Sequence, residues 1–578
     1  MIETLLCEIR YDYEIMQPGP FALRTLVFFL LVLPACPCSS SFLLLSLSLS
    51  ESLADVYLVS VSRVPAMENW GLIVCSQKFV IYNASITNPV EVTRMVNLLG
   101  HEIAHQWFGN IVTMKWWNNL WLNEGFAVMM GRKAVSNITG KEDLTMHENA
   151  LGYRLDQTQT VPPVSIRPNE MVNLQALFTL VVYKKAAAVL QMVEAIVGVE
   201  VFQKGVRMFL KKYAYSNADH EDLMASLSEA HKEMEGDAVI GTNFSLTQVM
   251  ESWIFHTGFP LVIVKSTPTP GTVIVTQRKY TERGESSPEQ WKIALVRDSS
   301  RHWLLENSST TINMGNDVVL DREGKLWARI LYDDQLYENI TQTLFNDADT
   351  IPVAARTRLI DDIFNFAEFG YVSYGVMFRL LFYFRSEVAF HPYQLLLAHL
   401  DLLKNKLHPR SNNQAHLITE FSRAILSPLY DNVMSNNPLN STYGLTHGEL
   451  HEFVSTRMVH YGHQKCTDDH LKMFPAVREA CRDSLLSNSS CNTIPTYMRN
   501  PVYLAVGRNG SDEDLEFLYS KWRDEQYQVE RDRIFSGMAG SKNESFIHRI
   551  FYDALFTYHL RGEQLLAKCR EYSRTSII

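Results

Sequence analysis

The sequence predicts a multidomain protein that is α/β first, then β, then α. Three observations carry this. At 578 residues the chain exceeds one core, since domains average roughly 150 residues. Its hydrophobic period is helical beyond Asn88, changes near Pro260 to short β-branched runs, and is helical again from about Ile340. Finally, 46% hydrophobic and 20% charged residues make an ordinary globular mixture. The expected organisation is a leader over 1–54, a first domain over 55–255, a small β-sandwich over 256–340 and an all-helical domain over 341–578.

Taken in order, residues 1–52 show no periodic element, but Phe21–Ser50 is rich in Leu, Phe and Ser. A membrane helix needs about 20 apolar residues in a row, whereas Pro34 ends the first run and serines dilute the second. The segment reads as a signal-type apolar region, a poor membrane anchor, or non-native sequence from a faulty gene prediction; the last explains best why low-complexity sequence abuts well-formed motifs. A strand is expected from Val56 and another from Leu72, flanking Pro65-Ala66-Met67-Glu68-Asn69. A helix opens with Asn88 as N-cap, Pro89 at its first position and Glu91 completing a capping box. Val92, Met95, Leu99 and Ile103 continue it at helical spacing, with Gly109 as the stop. A second helix is expected near Asn123, then others over 177–197, 199–213 and 220–234. Short strands at 261–264, 272–275 and 291–295 follow, split by Pro, Gly and Ser. No internal repeat is visible.

The formal net charge of -10 argues against nucleic acid, whose phosphates need a basic face. Eight cysteines form no C-x-x-C framework; Cys481 and Cys491 read either as a small disulfide loop or as free thiols. Nine N-x-[ST] triplets begin at Asn83, Asn137, Asn243, Asn307, Asn339, Asn440, Asn488, Asn509 and Asn543. That is roughly twice the number composition alone gives, and it favours a glycoprotein on a secretory route.

The strongest chemical signal is His101-Glu102-Ile103-Ala104-His105 on the expected helix. Residues four apart share a face, so both imidazoles reach one ion, while Glu102 flanks it without ligating. Catalytic zinc takes three protein ligands and leaves one position open. Glu124, with eighteen residues between it and His105, in Trp121-Leu122-Asn123-Glu124-Gly125-Phe126-Ala127, is the candidate third ligand. The bland alternative is two core histidines at helical spacing with solvated acids. A chance H-E-x-x-H arises in roughly a few of every hundred chains this long, and the spaced glutamate cuts that about tenfold. A buried His-Glu-His cluster without a metal is also costly.

Two weaker signals stand beside it. Glu68 by itself reads as a solvated acid at a strand end. Tyr183, opening the apolar run Tyr183-Lys184-Lys185-Ala186, reads by itself as a packed tyrosine with its hydroxyl at the surface.

Together the three segments resemble the aminopeptidase N-like zinc metallopeptidases, the gluzincin aminopeptidases that include the membrane alanyl aminopeptidase group. PAMEN matches that family's GAMEN motif, HEIAHQWFGN with WLNEGFA matches its zinc signature, and YKKAAAVLQM is similar to its Y-x-K-G segment. The likeness runs from about Asp55 to about Leu555. It implies a thermolysin-like catalytic domain over 55–255, followed by the β-sandwich and a helical domain that caps a cavity. It further implies one Zn2+ per chain held by His101, His105 and Glu124, with Glu102 as general base. Ala66, Met67, Glu68 and Asn69 would bind substrate, Glu68 holding its free α-amine, and Tyr183 would stabilise the oxyanion. The implied activity is hydrolytic removal of N-terminal residues from short peptides.

The chain also departs from that pattern. Pro65 stands where the family has glycine and lacks an N–H. Ala186 replaces a glycine beside the tyrosine. Asn119 stands where relatives carry an aspartate that braces a zinc histidine. The family's β-rich front domain is not matched, and the helical domain reads as shortened. These departures keep open a rival from another class, a catalytically impaired homologue that binds peptides or partners; a second rival is an endopeptidase of the same zinc class. The expected setting is the cell surface or a secretory compartment, with membrane association, and a cytoplasmic setting is the alternative.

Overall fold

The computed structural model describes residues 57–60, 65–139, 145–158, 160–167, 174–236, 244–285, 287–297, 300–304, 308–408, 411–435 and 445–556. The leader 1–54, its Phe21–Ser50 segment and the triplets at Asn243, Asn307 and Asn440 lie outside the described residues. The chain divides into two compact units. One comprises Met1–Ser76 with Val96–Tyr383, the other Gln77–Met95 with Phe384–Ile578.

The first unit begins with three short strands, β1 (Tyr57–Ser60), β2 (Ala66–Met67) and β3 (Leu72–Cys75), in the order β1-β3-β2. β1 runs parallel to β3 and β2 antiparallel to it, Ala66 opposite Cys75. Pro65 precedes this edge strand, where a missing N–H costs no ladder bond; its carbonyl accepts the Ser76 amide at 2.9 Å. Next comes α1 (Pro89–Ala104), through which the division between units passes. Its capping box forms as the sequence predicts: the Asn88 amide donates to Glu91 and the Glu91 amide to the Asn88 side chain, each at 2.8 Å. The helix stops at Ala104, five residues short of Gly109, because the chain tightens into i→i−3 turns there. Gly109 instead takes φ +132°, a conformation that suits glycine.

The short β4 (Val112–Met114) leads into α2 (Leu120–Thr139), which starts three residues before the expected Asn123. α3 (Thr145–Asp156) follows, then a π-helical turn, Val181–Lys185, that runs straight into α4 (Ala186–Val197). α5 (Val199–Lys212), β5 (Ser216–Ala218, parallel to β4), α6 (His220–Glu235) and α7 (Leu246–Ile254) complete this part. The helices expected over 199–213 and 220–234 therefore form nearly residue for residue. α4 and α5 together are apolar enough to cross a membrane by composition, but they are bent by 117°. Among the described residues no single helix is long and apolar enough to span one.

Beyond Pro260 the expected strands form. β6 (Pro260–Ser266), β7 (Thr272–Lys279), β10 (Ser309–Asn313) and β11 (Arg329–Tyr332) make one sheet in the order β10-β7-β6-β11, while β8 (Ile293–Arg297) and β9 (Ser300–Leu304) form a hairpin. Helices α8 (Asp334–Asn346), α9 (Val353–Glu368) and α10 (Tyr374–Leu381) follow. A buried ion cluster ties α9 to this sheet: Arg329, fully inaccessible, bonds Asp361 at 2.8 Å and Asp362 at 2.9 Å. The rings of Tyr153, Phe259 and Tyr280 surround its guanidinium. Pairing and stacking together offset the desolvation of the charges.

The second unit is helical throughout its described part beyond Phe384, from α11 (Phe390–Leu407) and α12 (Asn412–Ser435) to the last described helix, Glu544–Phe556. Its core gathers Phe474, Leu486, Val502, Tyr503, Leu518, Trp522 and Phe535, and includes a disulfide between Cys481 and Cys491. Of the two readings the sequence left open for these cysteines, the structure shows the bonded one.

Candidate metal centre

The last turn of α1 carries His101 and Glu102, and the His105 amide still bonds the His101 carbonyl at 3.2 Å. Leu99 and Ile103 are buried, which turns the opposite helix face toward the site. α2 is buried from Leu120 to Arg132 without interruption; a mostly apolar helix covered on every face belongs inside a protein. It delivers Glu124 as an interior carboxylate, 4% exposed.

The three side chains converge. His101 Nε2 and His105 Nε2 are 3.0 Å apart, and Glu124 Oε2 lies 3.3 Å from the first and 3.4 Å from the second. Ligands about 2.1 Å from a tetrahedral ion are separated by about 3.4 Å, so the triangle is close to the size one zinc ion requires. The Phe108 carbonyl, 3.0 Å from His105 Nδ1, accepts its N–H, so the ring once neutral keeps its lone pair on Nε2, the nitrogen nearest the other two. Glu124 Oε2 is buried with no hydrogen-bond partner. Two imidazole nitrogens and an orphaned carboxylate oxygen at this spacing fit a divalent cation.

Charge within the cluster is unevenly shared. For Glu124, burial pushes the carboxyl up, but His101 and His105 outweigh it and hold the group at about 2. Burial works against protonated His105, yet Glu124 and Glu68 raise it to about 9. His101 moves the other way, lowered by burial and by His105. A cation seated among the three would take the place of the proton that His105 holds.

Glu102 is not one of the three converging side chains. It is 4% exposed, and its Oε2 is buried without a hydrogen-bond partner. Burial, aided by Glu68 and Glu124 and opposed by His105, pushes its carboxyl up to about 7. A group near that value exchanges protons readily at neutral pH.

Glu68 reaches the same centre as a charge felt by His101, Glu102 and His105. It is half-buried, just beyond the end of the edge strand β2. Ala66 is half-buried in β2, and Met67 and Asn69 are exposed. Two residues to which the sequence assigned no role hold this segment. The Glu68 carbonyl accepts from Gln106 Nε2 at 3.3 Å and Asn110 Nδ2 at 2.9 Å, and Gln106 Oε1 accepts the Gly71 amide at 3.1 Å. Gln106 and Asn110 lie within HEIAHQWFGN itself, and that extended match was the only signal for them.

Tyr183 sits in the middle of the π turn with its ring stacked on His101, centroids 6.1 Å apart. Burial and the Glu124 carboxylate push its phenol upward, so it remains a proton donor across the working range. Ala186, the residue in place of glycine, packs against α2: a Cβ on Gly125 would come within 2.7 Å of the Ala186 Cβ. Asn119 is buried, but its Oδ1 has no hydrogen-bond partner and its amide bonds Asn118 at 3.3 Å. It does not brace either histidine in the way its position in the motif suggests.

Comparison with known proteins follows the same lines. A peptidase family M1 domain matches residues 49–253 and an ERAP1-like C-terminal domain matches residues 318–567. Aminopeptidase Ey of Gallus gallus is 26% identical over 509 residues, covering 84% of this chain and 50% of that protein. Aminopeptidase N of Rattus norvegicus is 26% identical over 524 residues, 86% of this chain and 52% of its own. Membrane alanyl aminopeptidase of Manduca sexta is 27% identical over 519 residues, 84% and 50% respectively. The chain spans about half the length of the curated relatives it matches.

Proposed function

We propose that this chain, which matches a peptidase family M1 domain and is similar to aminopeptidase N-like peptidases, is a zinc-dependent aminopeptidase removing single N-terminal residues from short peptides. The observation that carries this is the triangle of His101, His105 and Glu124, with Glu102 Oε2 buried and unpartnered on the same helix as the two histidines. His101, His105 and Glu124 would hold one zinc ion, which when bound polarises the scissile carbonyl and acidifies water. Glu102 takes the proton from the attacking water and passes it to the leaving amine. Tyr183 donates a hydrogen bond to the carbonyl oxygen as negative charge develops there. Glu68 pairs with the substrate's α-ammonium, which selects a free N-terminus. Ala66, Met67 and Asn69 line that end.

The test is turnover of a leucyl chromogenic amide beside its N-acetyl derivative. Hydrolysis of the first and near-total loss with the second supports the reading; equal hydrolysis would make the protein an endopeptidase. The unbraced Asn119 favours a second reading, an impaired homologue that binds peptides. Stoichiometric zinc without turnover of either substrate would establish that one instead. We further propose residues 55–255 as a thermolysin-like catalytic domain, 256–340 as a β-sandwich and 341–578 as a helical domain. The Cys481–Cys491 disulfide and the triplets whose asparagine is exposed, at Asn137, Asn339, Asn488, Asn509 and Asn543, support a secretory or cell-surface setting.

A further inference from the structure

Lys185 ends the π turn that carries Tyr183, and its side chain is wholly inaccessible. Its ammonium donates to the Gly258 carbonyl at 2.6 Å and the His256 carbonyl at 3.0 Å, and lies 3.2 Å from Asp156 Oδ2. Asp156 is equally buried and is itself fixed: its Oδ1 accepts the Gly258 amide at 2.8 Å and its Oδ2 accepts Trp327 Nε1 at 3.1 Å. The end of α3, the loop before β6 and the π turn thus meet at one buried ion pair. Burying a lysine is costly unless every donor is used, and here three acceptors surround it. A π turn is a local departure from regular helix that needs outside support, and this is the support present two residues from Tyr183.

We propose that Lys185 is a positioning residue for the reaction: its buried ammonium, clamped by Asp156 and the carbonyls of His256 and Gly258, holds the π turn in the form that presents the Tyr183 hydroxyl to the reacting carbonyl oxygen. The inference rests on the oxyanion role given to Tyr183 above. Lys185 touches no reacting atom, so it acts only through Tyr183.

A double-mutant cycle on the zinc-loaded, full-length chain tests it, using Lys185→Met, Tyr183→Phe and the pair, with kcat and KM for a leucyl chromogenic amide, zinc content and Tm. Losing a donor to a developing oxyanion costs about 10²–10³ in kcat. The expected result is that Lys185→Met lowers kcat at least about tenfold, leaves KM within a few-fold and retains one zinc. In the Tyr183→Phe background it should add little or nothing. Lys185→Arg, which keeps the charge, should recover part of kcat, and it replaces the Met variant in the cycle if that protein does not fold. If Lys185 substitution lowers kcat by the same factor with and without the Tyr183 hydroxyl, the positioning role is overturned while the oxyanion role stands. If Tyr183→Phe alone leaves kcat unchanged, the oxyanion role fails and this inference fails with it.

Discussion

Gly131 and His101 are in backbone contact: a Cβ placed on Gly131 would come within 2.8 Å of the His101 nitrogen and 2.9 Å of the Gly100 carbonyl carbon. α1 and α2, which carry His101 and Glu124, cross here with nothing between them. Gly131→Ala must push them apart, at about 1–3 kcal/mol, and should weaken metal retention about 10- to 100-fold. Zinc content after graded chelator dialysis reads this directly. Gly375→Ala, whose Cβ would meet only ordinary contact at 3.5 Å, is the control and should retain zinc as the parent does.

Glu102 lies outside the triangle, so removing its charge should separate metal binding from turnover. Glu102→Gln is expected to keep one zinc per chain and lose about 10²–10⁴ in kcat. A chelator should abolish turnover of the parent, and added zinc should restore it. Loss of zinc on Glu102→Gln would make Glu102 a ligand and reassign the centre.

In the second unit, Glu452 is 5% exposed; its Oε1 accepts from Asn88 and Asn500, and its Oε2 is buried without a hydrogen-bond partner. Burial pushes its carboxyl from 4.5 up to about 7, with Glu91 adding to the shift and Arg533 and Asn500 opposing it. Between those values the folded state binds more protons than the unfolded state, so this group's contribution to stability falls as pH rises. Glu452→Gln keeps the two accepted bonds and removes the charge. It should change stability little at pH 4.5 and raise it by about 1–3 kcal/mol at pH 8. Denaturant unfolding at both pH values decides, and a loss at pH 8 would mean that attraction to Arg533 dominates.

Cys481 and Cys491 close a short loop inside the core of the second unit. Replacing both with serine should cost about 2–3 kcal/mol. A reductant should lower the Tm of the parent and leave that of the double variant unchanged.

What could be read from the sequence was what is encoded locally. The Asn88–Glu91 cap, the convergence of His101 and His105, and the strands near 261–264 and 272–275 all depend on residues a few positions apart, where period and capping chemistry are visible. The start of α2 was misplaced because the turn Trp117–Asn119 leads into it without a capping side chain. Gln106 and Asn110 went unassigned because each bonds a carbonyl about forty residues away, a relationship with no period. The π turn around Tyr183 was hidden because its apolar residues also satisfy an ordinary helical pattern. The missing brace at Asn119 could not be read from residue type, since an amide in that place is able to bond a histidine and here does not.

The Glu68 carbonyl hangs on two amide side chains, Gln106 and Asn110, that directly follow the ligand helix in the same short stretch of chain. On the proposed reading this makes a molecular ruler. The gap between the anchor for a peptide's charged end and the place where its bond is cut is fixed by a few covalent steps and two hydrogen bonds. Wall residues elsewhere can change which amino acid is accepted, but the count per cycle stays at one.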